Sequence, residues 1–371
     1  MSLKFLYLNE PDMVQAGVLD MKKCVQAVDD MFQVMGQGDY LMGSPSENHH
    51  GMMLWFPLEK RTEKMPVAGP DRRFMAMPAY LGGRFNVCGN KWYGSNIENQ
   101  KKGLPRSILT VMLNDVDTGA PLALMSANLL SSMRTGAVPG VATKYLQKSN
   151  AGVVGVIGAG VVSRSCVLAI KETIHDLREM RVYDLFPEKA EKFAQEMGEQ
   201  LGVKVIPVPT MEQAVRGCDV VSVAASGLAP VEFPDEWVEP GMVIIATGAV
   251  MLSKKCLMEK KVVFDNWQMH KDWLDELRDD PERLLSVNAG HPSAKLLLMV
   301  ANGEVDPDHM VSFGDVLANP ALGRQSDEDT FIFLTGGMGV EDVAWGYDVY
   351  QEALRQGIGQ ELVLWDKPHW A

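Results

Sequence analysis

The chain has 371 residues, more than one hydrophobic core usually organises, so two domains are expected. Its 48 acidic against 35 basic residues leave a net charge of −13, which repels polyanions and argues against nucleic acid or an anionic membrane surface as a partner. Cys24, Cys88, Cys166, Cys218 and Cys256 are widely spaced and form no Cys-x-x-Cys pair, so free buried thiols are expected rather than a disulfide framework or a metal centre. The opening Met-Ser-Leu-Lys-Phe lacks a signal-peptide pattern, and no apolar run reaches the roughly 18 residues of a membrane span, which predicts a cytoplasmic protein.

In chain order, Lys4 to Leu8 reads as a strand and Met21 to Met35 as a helix, followed by short strands between Gly, Pro and Asn clusters. That mixture predicts an α+β domain. Gly51 to Arg73 carries scattered charges and little periodicity and reads as a long loop or insertion. Ser107 to Leu113 and Pro121 to Met125 read as strands around the turn Asp115-Val-Asp-Thr-Gly119, and Leu129 to Gln147 as a helix joining the domains. From Ala151 the pattern changes. Apolar runs at Gly152–Ile157, Glu179–Tyr183, Val203–Val208, Val220–Ala224, Met242–Ile245 and Val262–Phe264 alternate with helical stretches, which predicts a doubly wound parallel α/β sheet of Rossmann-like type. Beyond about Ser312 a glycine-rich stretch, Thr335 to Gly339, precedes a last helix, Glu341 to Gln356, whose apolar face is expected to return to the first domain. The expected division is 1–130, 131–315 and 316–371, the outer two pieces forming one discontinuous α+β substrate and dimerisation domain.

The start of the parallel region carries a chemical signature. Val153-Val-Gly-Val-Ile-Gly158-Ala-Gly160-Val-Val-Ser163 is a strand running into a glycine turn and then into a helix. Gly158 permits the tight turn, Gly160 lets backbone N–H groups approach a pyrophosphate, and the helix N-terminus stabilises its charge. Gly158, Ala159, Gly160, Val161 and Val162 are therefore candidate cofactor-binding residues, although Ser163 stands where a third glycine is usual. The next predicted strand ends at Asp184, whose carboxylate can accept bonds from both ribose hydroxyls and would repel a 2′-phosphate. No arginine follows it in Leu185-Phe-Pro-Glu-Lys189, so NAD is expected rather than NADP. The competing reading makes Asp184 a loop or capping acid for the helix that opens at Pro187.

With these motifs in place, the chain resembles the ornithine cyclodeaminase/μ-crystallin family over nearly its whole length. The resemblance rests on Lys91-Trp-Tyr-Gly-Ser95, Leu113-Asn-Asp-Val-Asp-Thr-Gly-Ala-Pro-Leu122 and Ser131-Ser-Met-Arg-Thr-Gly-Ala-Val-Pro-Gly140, followed directly by the glycine turn. Within the family it is most similar to the siderophore-pathway N-(1-amino-1-carboxyethyl)glutamate dehydrogenase branch, in Tyr7-Leu-Asn9, Lys91-Trp-Tyr-Gly-Ser95, Leu130-Ser-Ser-Met-Arg-Thr135, Tyr183-Asp184 and Gly337-Met-Gly-Val-Glu-Asp342. The resemblance implies a homodimeric NAD(H)-dependent oxidoreductase acting on the C–N bond of a small amino-acid or opine-like substrate. It implies that Lys91 and Arg134 hold the substrate carboxylate beside the nicotinamide, that Thr135 lies toward the cofactor, and that Arg72 or Arg73, shortly before Met77-Pro78, is a second substrate-binding arginine. Read alone, Lys91 is an ordinary loop lysine and Arg134 an ordinary helix surface charge. Both types nevertheless suit a carboxylate, the arginine as a planar fork and the lysine as a compact charge that can pass a proton.

One departure matters for the reaction. The family's cyclodeaminases carry an aspartate shortly after the strand near Met242–Ala246, where this chain has Thr247-Gly-Ala-Val250. Val250 cannot transfer a proton, which favours hydride transfer at an imine over conversion of ornithine to proline. A non-catalytic ligand carrier of μ-crystallin type is the reading from another class. His49, His50, His291 and His309 lack ligand spacing and read as loop or surface histidines, so no metal is expected. Asp315 and Asp342 are possible bases, and Asp342 is expected to cap the last helix.

Overall fold

The computed structural model describes residues 2–69, 71–225, 229–279 and 291–370. The chain forms two compact units, one from Met1–Asp20, Gly38–Arg134 and Met338–Ala371, the other from Met21–Gln37 and Thr135–Gly337.

The first unit is built on a mixed sheet. Its strands run in the order Gln360–Trp365, Leu3–Leu8, Pro121–Ser126, Ser107–Asn114, Val87–Ser95, Arg73–Leu81 and Tyr40–Met42, with Met52–Trp55 also pairing on Arg73–Leu81. Alternation decides the faces: along Arg73–Leu81 the side chains of Met75, Met77, Ala79 and Leu81 are buried. The C-terminal helix Gly339–Gln356 covers this buried face. Two glycines let it approach. A Cβ on Gly89 would stand 2.7 Å from Val343 Cγ2, and one on Gly339 would stand 2.9 Å from the Met77 carbonyl oxygen. Trp345, within the helix, donates its indole N–H to the Val18 carbonyl at 3.2 Å. On the opposite face Met52, Leu54, Phe74, Trp92, Ile108 and Met112 are exposed, with Phe74 stacked on Trp92 at 5.8 Å.

The second unit contains the expected parallel sheet, in the order Lys204–Pro207, Glu179–Tyr183, Val153–Ile157, Val220–Val223, Val243–Ala246, Phe331–Leu334, Lys261–Phe264 and Met310–Ser312. Every pairing along it is parallel, and the chain order reverses beside Val153–Ile157, at whose end the glycine turn lies. The helix Asn128–Leu146 packs tightly here: Cβ atoms on Gly136 and Gly140 would meet Ser165 and Ala169 of the helix Val161–Thr173 at 2.3 and 2.7 Å.

The expected boundaries shift at two places. Residues 316–337 belong with the parallel sheet, because Phe331–Leu334, buried throughout, fills the gap between Val243–Ala246 and Lys261–Phe264. The helix Met21–Gly36 also belongs to the second unit. Gly36 lies against Gly314, Phe32 packs edge-on to Phe313 at 4.9 Å, and Asp29 accepts bonds from Lys144 and from Tyr145 at 2.9 Å. The expected loop at 51–73 contains the strand Met52–Trp55. Lys91, read alone as a loop lysine, lies mid-strand, in register with Met77 of the neighbouring strand.

Candidate active site

Lys91 occupies a row of the first unit's sheet that is otherwise apolar: Leu8, Met125, Val111, Lys91 and Met77 sit side by side across five strands. An ammonium 4 % exposed in such a row needs an anion, and the C-terminal helix supplies it. Lys91 Nζ donates to Asp342 Oδ2 at 3.1 Å and to Ser131 Oγ at 3.0 Å, and lies 5.5 Å from the centre of the Tyr93 ring. Arg134, one turn along from Ser131 on the helix Asn128–Leu146, joins the same group. Its Nη1 donates to Glu341 Oε2, its Nε lies 3.2 Å from Asp342 Oδ2 and its Nη2 donates to Ser131 Oγ at 3.3 Å. Glu341 also closes the first turn of its helix by accepting the Met338 N–H at 3.1 Å. The capping role expected of Asp342 therefore belongs to Glu341, and Asp342, fully buried, serves the two cations instead.

The electrostatics follow from burial. Desolvation and then repulsion from Arg134 bring Lys91 down to about 8, against the pull of Asp342 and Glu341. Burial works against the Arg134 charge too, but Asp342 and Glu341 outweigh it and raise its affinity for the proton. Two cations face two carboxylates, so the quartet is neutral. Two buried atoms in it have no hydrogen-bonded partner: Arg134 Nε, whose approach to Asp342 is poorly aligned, and Asp342 Oδ1. The expected fork of Arg134 is thus largely occupied from within the protein.

The arginine pair separates. Arg73 opens its strand, ion-paired with Asp71 and 5.5 and 5.8 Å from the centres of Trp55 and Tyr93. Arg72 precedes the strand, donates to the Val67 carbonyl at 3.1 Å and lies over Phe56. Only Arg73 therefore shares the Tyr93 ring with Lys91.

In the second unit the glycine turn has the geometry its sequence implies. Gly158 has φ +94, and a Cβ there would stand 2.8 Å from Ala225 Cα; Gly160 is open on its Cβ side and caps the helix Val161–Thr173. Val161 and Val162 are exposed in that helix's first turn, and Thr135 is half-buried beside Gly136. Asp184 stands at the turn. Its Oδ2 accepts the Ala159 N–H at 2.8 Å and its Oδ1 the Phe186 N–H at 3.0 Å. It does not cap the following helix, Pro187–Leu201, whose N-cap is Phe186. An open helix N-terminus, an uncrowded Gly160 and a carboxylate fixed at the neighbouring strand end fit a dinucleotide pyrophosphate and ribose.

Asp315, His309, His291 and Val250 lie in the second unit. Asp315 is exposed and His309 is mostly so, 4.0 Å from Asp306. His291 is not a surface histidine: Asp265, His270, Ser293 and His291 form a chain of hydrogen bonds at 3.0, 2.8 and 3.0 Å, and Asp265 also accepts the Gly337 N–H at 3.0 Å. Desolvation and then His270 push His291 down to about 3, so it is neutral. Val250 is 5 % exposed, in a short strand pairing with Val231. The five cysteines are free, and no cluster of metal-ligating groups occurs among the described residues. None of the described helices is long and apolar enough to cross a membrane.

Over the full alignment the chain is 26 % identical to N-((2S)-2-amino-2-carboxyethyl)-L-glutamate dehydrogenase of Staphylococcus aureus, covering 98 % of this chain and 100 % of that one. The structure of Thermococcus litoralis Delta(1)-pyrroline-2-carboxylate reductase in complex with NADH and L-proline is 27 % identical and superposes with a TM-score of 0.77, covering 96 % of this chain and 99 % of that one. An archaeal alanine dehydrogenase dimer with bound NAD is 28 % identical and superposes at 0.78, covering 98 % and 100 %. Residues 18–357 match the model of one family, and the chain belongs to it: the ornithine cyclodeaminase/mu-crystallin family.

Proposed function

We propose that the chain is an NAD(H)-dependent oxidoreductase acting on the C–N bond of a small amino or imino acid. The observation that carries this reading is the buried quartet of Lys91, Arg134, Glu341 and Asp342 in a chain that also holds a dinucleotide turn closed by Asp184. NAD, when bound, takes up or supplies the hydride at the substrate carbon. The backbone N–H groups of Gly160, Val161 and Val162 would hold its pyrophosphate, Asp184, which fixes the turn through the Ala159 N–H, would hold the ribose hydroxyls, and Thr135 would lie toward the cofactor. Lys91 and the Nη2 of Arg134 hold the substrate carboxylate, and Arg73, not Arg72, is the second arginine on that side because it shares the Tyr93 ring with Lys91. With its value near 8, Lys91 can also pass a proton to or from the substrate at neutral pH.

Val250 weighs against cyclodeamination of ornithine, since it is a buried strand residue with no proton to give. The first unit acts as the substrate and dimerisation part and the second as the cofactor part. A homodimer is supported by the exposed apolar sheet face around Phe74 and Trp92, which suits a second copy of the same face, and by the dimeric relative. The protein works in the cytoplasm. The test is turnover: NADH absorbance is followed while the protein is incubated with 2-oxo acids and amines in pairs. Consumption dependent on both partners supports the reading; NADH binding without consumption of any pair points to the ligand carrier instead.

A further inference from the structure

The quartet contains an atom whose need is unmet. Asp342 is 0 % exposed, its Oδ2 serves Lys91 and faces Arg134, and its Oδ1 accepts no hydrogen bond. A buried carboxylate oxygen without a donor costs free energy that a ligand N–H can recover. The charge balance narrows that ligand. The four groups sum to zero, so a bare carboxylate arriving beside Lys91 and Arg134 would leave one buried negative charge uncompensated. A carboxylate carried with a protonated nitrogen, as in an amino acid or an iminium acid, brings no net charge.

We propose that Asp342 Oδ1 is the acceptor for the substrate's amino or iminium N–H, so that the quartet selects the nitrogen-bearing form of the ligand over its oxo-acid counterpart. The assignment rests on the amino/imino-acid reading above, and it gives the C-terminal helix a direct part in specificity. Asp342 accepts from Lys91 and faces Arg134 through Oδ2, and receives the reacting nitrogen through Oδ1. The nitrogen is thereby fixed beside the ammonium and guanidinium groups that hold the carboxylate.

The probes are L-alanine against pyruvate and L-glutamate against 2-oxoglutarate, bound to the protein–NADH complex, in which neither member of a pair is turned over. Binding is read by titration calorimetry. The wild type is expected to bind the amino member of the productive pair at least tenfold more tightly. Asp342→Asn, which leaves the quartet with one net positive charge, is expected to lose that preference: the amino member weakens about tenfold or more, while the oxo acid binds equally well or more tightly. Equal affinity of the wild type for both members overturns the proposal without any variant, and so does an Asp342→Asn protein that weakens both alike, the behaviour of a merely structural aspartate. A wild type that binds no NADH and turns over no pair overturns the functional reading, and the assignment with it; NADH consumption with no amino preference overturns the assignment alone.

Discussion

Replacing Arg134 by Met tests whether the quartet is held by charge balance. The side chain is 6 % exposed and its partners Glu341 and Asp342 are 1 % and 0 % exposed, so none of the three is well solvated. Arg134→Met fills much of the volume but leaves two buried carboxylates facing one ammonium. Removing one partner of a buried pair costs about 3–5 kcal/mol, because the remaining charge keeps its desolvation penalty and loses its compensation. Glu341→Gln alone strands the opposite charge and costs a similar amount. Combined, the two substitutions leave Lys91 with Asp342, a neutral pair, and the amide oxygen that replaces the Glu341 carboxylate can still accept the Met338 N–H. The double variant is therefore expected to lie on the order of 2 kcal/mol or more above the sum of the singles. The assay is hydrogen exchange across the helix Gly339–Gln356, alongside equilibrium urea unfolding, since two units need not unfold together. A loss under about 1 kcal/mol in Arg134→Met, or additive behaviour in the double variant, refutes the reasoning.

Lys91→Met should lower turnover by about 100-fold or more while NADH affinity stays as it was. Lys91 titrates near 8 in the fold and near 10.5 when unfolded, so the unfolded chain binds more protons between those values and wild-type stability should rise with pH across that window; the rise should be missing in Lys91→Met. Asp184→Ser with Leu185→Arg should move preference from NADH toward NADPH in a competitive titration, because Leu185 is 81 % exposed beside the carboxylate that would repel a 2′-phosphate; unchanged preference would place the ribose elsewhere. Val250→Asp should lower the melting temperature rather than create a cyclodeaminase, because the new carboxylate would be buried in a strand; proline and ammonia from L-ornithine would contradict this.

What could be read from the sequence was local in origin. The strand, glycine turn and helix around Gly158 declare themselves by composition and spacing, and each apolar run named in the parallel region became a strand within a residue or two. Phe331–Leu334 escaped notice because four apolar residues without a periodic neighbour look the same in a strand, a helix or a loop. The helix Met21–Gly36 was readable as a helix but not as a member of the second unit, since that membership depends on contacts such as Phe32 with Phe313 that lie far apart in the chain. The candidate site divides in the same way. Lys91 and Arg134 came from family motifs, whereas the acids that answer them lie 251 and 207 residues away along the chain, beyond any pattern of spacing. A local trace was present all the same. Glu341 and Asp342 stand between Val340 and Val343 at the start of a helix whose apolar face seeks a sheet, and acids placed there are either caps or counter-ions. In the fold Glu341 takes the capping part and Asp342 answers a cation, Lys91, whose burial mid-strand among neighbours in register that are apolar, and not its sequence context, is what requires one.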